Sequence, residues 1–350
     1  MLIPKQTTIP SLVRLKPGAL DRMGIYTERH ELLRVVLLFS QDLDERLMAR
    51  LTASLQSRKI HILQQTPVES ISFEKTTELF RKLPRNAEAI IGFGGGKALD
   101  VAKYIGFLSR LPYLSVPTSL SNDGFCSPQS SLTFSDKRHP LASAVPFGVI
   151  LDTSVCLNAP ELLWHSGVGD LVSKLTAVTD WKLAFHATQT PVDDFSALLS
   201  DASVFQFMSR PKHDLEGMTL LGTALLLNGI SMSICGSSRP ASGSEHLISH
   251  ALDSVSKRPR LHGLQVGVAT YLMSLLQGQN SRRIAALFDA TGFWRCIASD
   301  PFDRAEWLEA AVLAPSIKSN FYTVLSSRDC LSEIESALHS DPNLRQCFLE

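Results

Sequence analysis

The first half of the chain alternates short apolar runs with longer amphipathic stretches. Residues 34–39, Arg-Val-Val-Leu-Leu-Phe, form a continuous apolar run, the mark of a strand covered on both faces. Further runs at 60–63, 89–93 and 113–118 predict three more strands, and helical periodicity over 44–55, 72–83 and 98–109 places a helix after each of the first three. Alternation of this kind predicts a parallel α/β sheet whose ligand site lies at the carboxyl ends of its strands. Runs at 131–134 and 147–151 flank the turn Ser135-Asp136-Lys137-Arg138 and predict a hairpin closing this half.

After Asp152 the texture changes. Helical periodicity covers 174–185, 192–210, 218–234, 263–277, 281–291 and 304–314, with hardly any strand-like run between. At 350 residues the chain is long for a single core. The expected division is therefore an α/β domain over 1–158 and an all-α domain over 159–350, joined near Asn158-Ala159-Pro160. Residues 218–236 carry no charge and are long enough to span a bilayer. Asn228, Gly222, Gly229 and several hydroxyls dilute them, and a polar loop follows directly, so a helix buried within a domain is expected, with no membrane span.

Composition narrows the partners. Lys plus Arg equals Asp plus Glu at 34 each, which leaves no net field to favour nucleic acid or an anionic membrane. The six cysteines, at 126, 156, 235, 296, 330 and 347, include no CxxC pair, which predicts reduced thiols in a cytoplasmic protein. The opening Met1-Leu2-Ile3-Pro4-Lys5-Gln6-Thr7-Thr8 lacks the apolar core of a signal peptide, in keeping with that compartment.

Candidate chemistry lies at three places. Gly94-Gly95-Gly96-Lys97 leaves a predicted strand and opens a predicted helix, where bare backbone amides and the helix dipole suit a pyrophosphate. Its spacing is neither GxGxxG nor a P-loop, so a tight turn without a ligand stays open. The loop after the next strand offers Thr118, Ser121, Asp123 and Ser127 to a polar ligand. In the second half His246 and His250 stand one helical turn apart, a third imidazole, His262, follows a basic interruption, and Ser242 or Ser244 is placed to cap the helix. This is a metal or catalytic geometry in outline, or an exposed pair plus a bystander. Asp170, beside an apolar helix, is either a cap or a ligand.

Four segments together resemble a known family. Gly94 to Lys103, Ser115 to Gly124 with its Pro117-Thr118, Gly169-Asp170-Leu171 with Asp180-Trp181, and Ser237-Ser238-Arg239-Pro240-Ala241-Ser242-Gly243-Ser244-Glu245-His246 look like the motifs of the sn-glycerol-1-phosphate dehydrogenases. The likeness runs from about Ile91 to Gly267, with a weaker echo at 317–325. It implies the dehydroquinate synthase-like fold of metal-dependent alcohol dehydrogenases and a Zn²⁺, or Ni²⁺ or another divalent ion, held by Asp170, His246 and His262. It further implies NAD or NADP over Gly94, Gly95, Gly96 and Lys97 with Thr118, Ser121 and Ser127, and a small phosphorylated ketone met by Asp123, Asp170 and His250. Those three are the implied catalytic residues, and a homodimer or larger assembly is implied too. The phosphate has three candidate partners, Arg239, Lys174 and Lys318, among which the sequence does not choose. Two rival functions remain: a sugar-phosphate cyclase of the dehydroquinate synthase type, which uses NAD without net consumption, and a non-catalytic nucleotide-binding relative. Iron-type alcohol dehydrogenases, which often carry a further histidine ligand one turn after the aspartate, fit less well because Lys174 stands there.

Overall fold

The computed structural model describes residues 7–135 and 137–349. Residues 1–6 and Asp136, on which the readings of the amino terminus and of the hairpin turn partly fall, lie outside the described residues. The chain forms two compact units: one comprises the chain up to Ser119 and Asp123–Ala159, the other Leu120–Asn122 and Pro160–Glu350.

The first unit is built on a parallel sheet. Its strands are β1 (Leu12–Leu15), β2 (Arg34–Ser40), β3 (His61–Val68), β4 (Ala89–Gly94), β5 (Tyr113–Pro117) and β8 (Gly148–Leu151), with β6 (Gln129–Phe134) and β7 (Lys137–Ala142) forming a separate antiparallel pair. The apolar run of β2 behaves as its composition requires. Val35 and Leu37 join one core with Leu51 and Leu55 of the helix Glu45–Gln56, whereas Val36 and Leu38 join a second with Val101 and Ile105 of the helix Gly96–Ser109. Spatial order is β3-β2-β4-β5-β8-β1. The chain steps outward from β2 to β3, then returns to the other side of β2 for β4, so the topological switch point lies between the carboxyl ends of β2 and β4.

Two expectations need correction here. Residues 148–151 are not half of a hairpin: Gly148 pairs in parallel with both Leu12 and Leu114, deep in the sheet, as an uninterrupted buried run suits. The true partner of β6 is β7, Lys-Arg-His-Pro-Leu-Ala, an exposed strand without an apolar pattern to betray it. Strand β1 also went unforeseen, because four residues with an arginine among them carry too little period to read.

The second unit is helical. Its long helices include Glu161–Val172, Lys174–Thr188, Asp194–Met208, Leu215–Cys235, Ser244–Val255, His262–Leu276, Ser281–Thr291 and Arg304–Leu313. The helix Leu215–Cys235 is long and apolar enough to cross a membrane by length and composition, yet it belongs to the packing of this unit. Its Asn228 donates to Ser203 Oγ at 2.9 Å and accepts from Ser200 Oγ at 3.1 Å on the neighbouring helix, so the polar group that diluted the run has buried partners. Two other helices approach unusually closely. A Cβ added at Gly169 would overlap the carbonyl oxygen of Gly263, and one added at Gly263 would overlap that of Ser166. Glycine at both positions lets the helices Glu161–Val172 and His262–Leu276 touch backbone to backbone.

Candidate active site

That crossing sets the distance between Asp170 and His262. Asp170 lies in the last turn of the helix Glu161–Val172, so it caps nothing at an N-terminus, and the choice left by the sequence narrows to a held side chain. His262 opens the helix His262–Leu276, and His246 is the third residue of the helix Ser244–Val255. Asp170 Oδ1 lies 3.7 Å from His246 Nε2 and 3.9 Å from His262 Nε2. One donor atom from each of the three residues falls within 4.8 Å of the others, and Asp170 and His246 are buried. Sites far apart in sequence thus converge on one point. His250 stands beside them: its ring stacks on that of His262 with centroids 5.7 Å apart, and it is exposed.

The surroundings aim the donors. His246 Nδ1 faces Glu245 Oε1 at 2.9 Å, which leaves Nε2 toward Asp170, and His262 Nδ1 faces Ser249 Oγ at 3.1 Å. Glu245 is itself fixed, accepting from Gly243 N at 2.6 Å and from Thr176 Oγ1 at 2.9 Å. Neither Ser242 nor Ser244 caps the helix through its side chain as the sequence suggested. Asp180 does that work from outside, its Oδ2 accepting from both Ser244 N and Ser244 Oγ. An ionised carboxylate oxygen makes stronger hydrogen bonds to those donors than a neutral hydroxyl in the turn would.

Electrostatically the cluster is a hole for positive charge. Burial alone would push the Asp170 carboxyl up, but the Lys174 ammonium at 3.3 Å and the His246 hydrogen bond outweigh it, and the group is held below the usual carboxylate range. Burial opposes a charge on His246, yet Asp170 and Glu245 on either side raise its pKa. His262 is pushed well down, by burial first and then by His246, and so keeps a free lone pair. Burial and the charge of Glu245 raise Asp180 to about 6. One buried carboxylate, one imidazole that attracts a proton and one that resists it are a donor set that a divalent cation fits.

The glycine turn works without side-chain chemistry. Gly94 ends β4 with φ of 129°, and a Cβ there would overlap the Ser40 hydroxyl at the end of β2. Ser40 Oγ accepts from Gly95 N at 2.9 Å, so the turn is locked at the switch point. Above Gly96 a Cβ would meet nothing within 4 Å, and Gly96 and Lys97 are exposed at the open N-terminus of the helix Gly96–Ser109. Thr118 N donates to Gly94 O at 3.1 Å, which brings Thr118 to the same strand ends.

The remaining candidates are more scattered. Ser127 is buried, and its hydroxyl donates to Gln129 O at 3.1 Å within its own loop. Lys103, on the glycine-turn helix, pins that loop through Gly124 O at 2.6 Å and Ser127 O at 3.2 Å. Asp123 opens the short 3-10 turn Asp123–Phe125 of the same unit. Ser121 goes with the helical unit, its carbonyl accepting from Ser166 Oγ at 2.9 Å. Ser40, Glu245, Ser249 and Asp180 support these sites in roles the sequence did not assign, although Asp180 and Glu245 stand in the segments that carry the resemblance. Only the adjacency of Glu245 to His246 offered a signal.

Known proteins resemble this chain at two levels. The profile of the iron-containing alcohol dehydrogenase family matches residues 14–160. The glycerol-1-phosphate dehydrogenase [NAD(P)+] of Aeropyrum pernix is 34% identical over 337 residues, covering 94% of this chain and 96% of that one. The protein of the same name from Methanosphaera stadtmanae is 34% identical over 285 residues, 78% of this chain and 82% of its own. In three dimensions the chain is similar to the glycerol dehydrogenase of Schizosaccharomyces pombe, with a TM-score of 0.76 at 17% identity over 98% of this chain and 91% of that one, a likeness of fold.

Proposed function

Since the chain belongs to the glycerol-1-phosphate dehydrogenase family, we infer that it is an NAD(P)-dependent oxidoreductase that reduces dihydroxyacetone phosphate to sn-glycerol 1-phosphate, a glycerophospholipid precursor. The observation that carries the site assignment is the convergence of Asp170, His246 and His262, from three helices, within 4.8 Å. Those residues would hold a divalent cation, with Zn²⁺ favoured by a set of one carboxylate and two imidazoles and Ni²⁺ the next choice. Three protein donors leave positions for substrate oxygens. NAD or NADP would contact Gly94, Gly95, Gly96 and Lys97 by backbone and charge, with Thr118, Ser121 and Ser127. Asp123, Asp170 and His250 would meet the substrate. The protein would act in the cytoplasm as a homodimer or larger homo-oligomer.

Bound in their places, the cation would polarise the C2 carbonyl and the reduced nicotinamide would supply hydride to that carbon. The chain's own residues do the rest. Glu245 holds His246 with Nε2 turned toward Asp170, and Ser249 steadies the ring of His262. Lys174 balances the Asp170 carboxylate, which limits the cost of burying it. His250, exposed and stacked on His262, or a chain of hydroxyls and water would supply the proton to the new hydroxyl oxygen at C2.

The test pairs turnover with metal content. Purified protein should oxidise NAD(P)H in step with loss of dihydroxyacetone phosphate and carry about one divalent ion per chain, and His246→Ala should lose both. Turnover of a sugar phosphate without net NAD(P)H consumption would point to the cyclase instead. Full activity in His246→Ala would remove the metal site.

A further inference from the structure

A second group of charges in the helical unit lies outside the donor set of the cation. Arg239, in the turn 237–241, is only 4% exposed, and its guanidinium carbon lies 3.7 Å from the centroid of the Phe321 ring. Lys318 Nζ lies 4.2 Å from the same centroid. Their side-chain hydrogen bonds go to neutral oxygens: Arg239 Nη1 donates to Tyr322 O at 2.7 Å, and Lys318 Nζ to Ser238 Oγ at 3.0 Å. Asp180, the carboxylate whose charge reaches Arg239, is already committed to Ser244 through Oδ2 and to Val324 N through Oδ1. Burial lowers the pKa of Arg239, and burial together with Arg239 lowers that of Lys318. Two cations drawn to one aromatic ring, with the carboxylate whose charge reaches Arg239 already engaged elsewhere, are costly to keep unless an anion joins them.

The anion's chemistry follows from the donors. A guanidinium with four N–H groups to spare, an ammonium and a hydroxyl exceed what one carboxylate can accept, and suit a tetrahedral dianion. Access is open on the lysine side, where Lys318, Phe321 and Tyr322 line a cavity of about 430 Å³. Asp180 ties this cluster to the metal set. It binds the start of the helix that carries His246 and, through Val324, the segment that follows Lys318, Phe321 and Tyr322. Lys174, the remaining candidate, has its ammonium engaged with Asp170 at 3.3 Å.

We propose that Arg239 and Lys318, with the Ser238 hydroxyl, form the subsite that takes the phosphate of a phosphomonoester substrate and sets the preference for phosphorylated over free ketones. This deepens the reading of the site as one for a phosphorylated three-carbon ketone, and rests on it. In the metal- and cofactor-loaded enzyme, Lys318→Met should lower kcat/KM for dihydroxyacetone phosphate relative to kcat/KM for free dihydroxyacetone by about 10- to 100-fold. The ratio cancels any shared loss of folded or metal-loaded protein. Arg239→Lys, which keeps the charge and loses the fork, should shift it in the same direction. A ratio within about twofold of wild type in both variants overturns the subsite. Calorimetry with inorganic phosphate supplies a readout without turnover: wild type should bind it, and Lys318→Met at least about 10-fold more weakly. If wild type reduces no phosphorylated ketone yet binds phosphate in a Lys318-dependent way, the subsite stands and the substrate reading falls. Equal phosphate affinity in wild type and Lys318→Met overturns the subsite.

Discussion

The glycine turn and the imidazole cluster solve opposite problems. At Gly94–Gly96 the chain removes side chains, so that amides and a helix end face outward with nothing in the way. Around Asp170 it packs polar side chains inward and holds them with partners from the same helix, as Glu245 holds His246, and from others, as Thr176 holds Glu245 and Ser249 holds His262. The first site depends on two adjacent strands and one serine; the second depends on how helices cross. A single methyl group therefore has different consequences in the two places, harmless to the fold above Gly96 and disruptive at Gly263.

The largest effect should come from that crossing. Gly263→Ala drives a Cβ into the Ser166 carbonyl and must part the two helices that bring Asp170 to His262. We expect a loss of about 1–3 kcal/mol in unfolding free energy and of tight metal retention together, measured by denaturant titration and elemental analysis. A stable, metal-replete variant would show that the crossing does not set the site. Next comes Glu245→Gln, which keeps a hydrogen-bond acceptor for His246 and removes the charge. Metal affinity by competition with a chelating dye should fall about 10- to 100-fold while NAD(P)H binding stays as in wild type.

Gly96→Ala sharpens the other half of the comparison. Its Cβ meets no protein atom within 4 Å and alanine favours a helix, so the melting temperature should hold or rise. Cofactor affinity, followed by nicotinamide fluorescence, should weaken about 10-fold, since the methyl group would stand between the amides and a pyrophosphate. Wild-type affinity would mean that the pyrophosphate lies elsewhere. Ser249→Ala should act least, weakening metal affinity about 3- to 10-fold through the lost hydrogen bond to His262.

The two regions also differ in how far their sequences can be read. The turn was legible because strand, glycines and helix are contiguous, and apolar runs announce buried strands such as β2 and β4. Failures came where pattern is weak: β1 with four residues, and β7, an exposed strand rich in charge. For the cluster, residue types and the HxxxH spacing suggested a site, and the resemblance supplied Asp170 as the third member. What no spacing could show is the glycine-to-glycine contact across almost a hundred residues that brings Asp170 and His262 together. Nor could it show the exchange by which Asp180 takes over the helix cap expected of a serine.

The central claim is that one divalent ion sits among Asp170, His246 and His262. Anomalous diffraction at the zinc edge from crystals grown with Zn²⁺ tests it most directly. The account predicts one dominant peak, bounded by the Asp170 carboxylate and Nε2 of both histidines. A dominant peak on any other residues, or none at this point in zinc-saturated crystals, would contradict it.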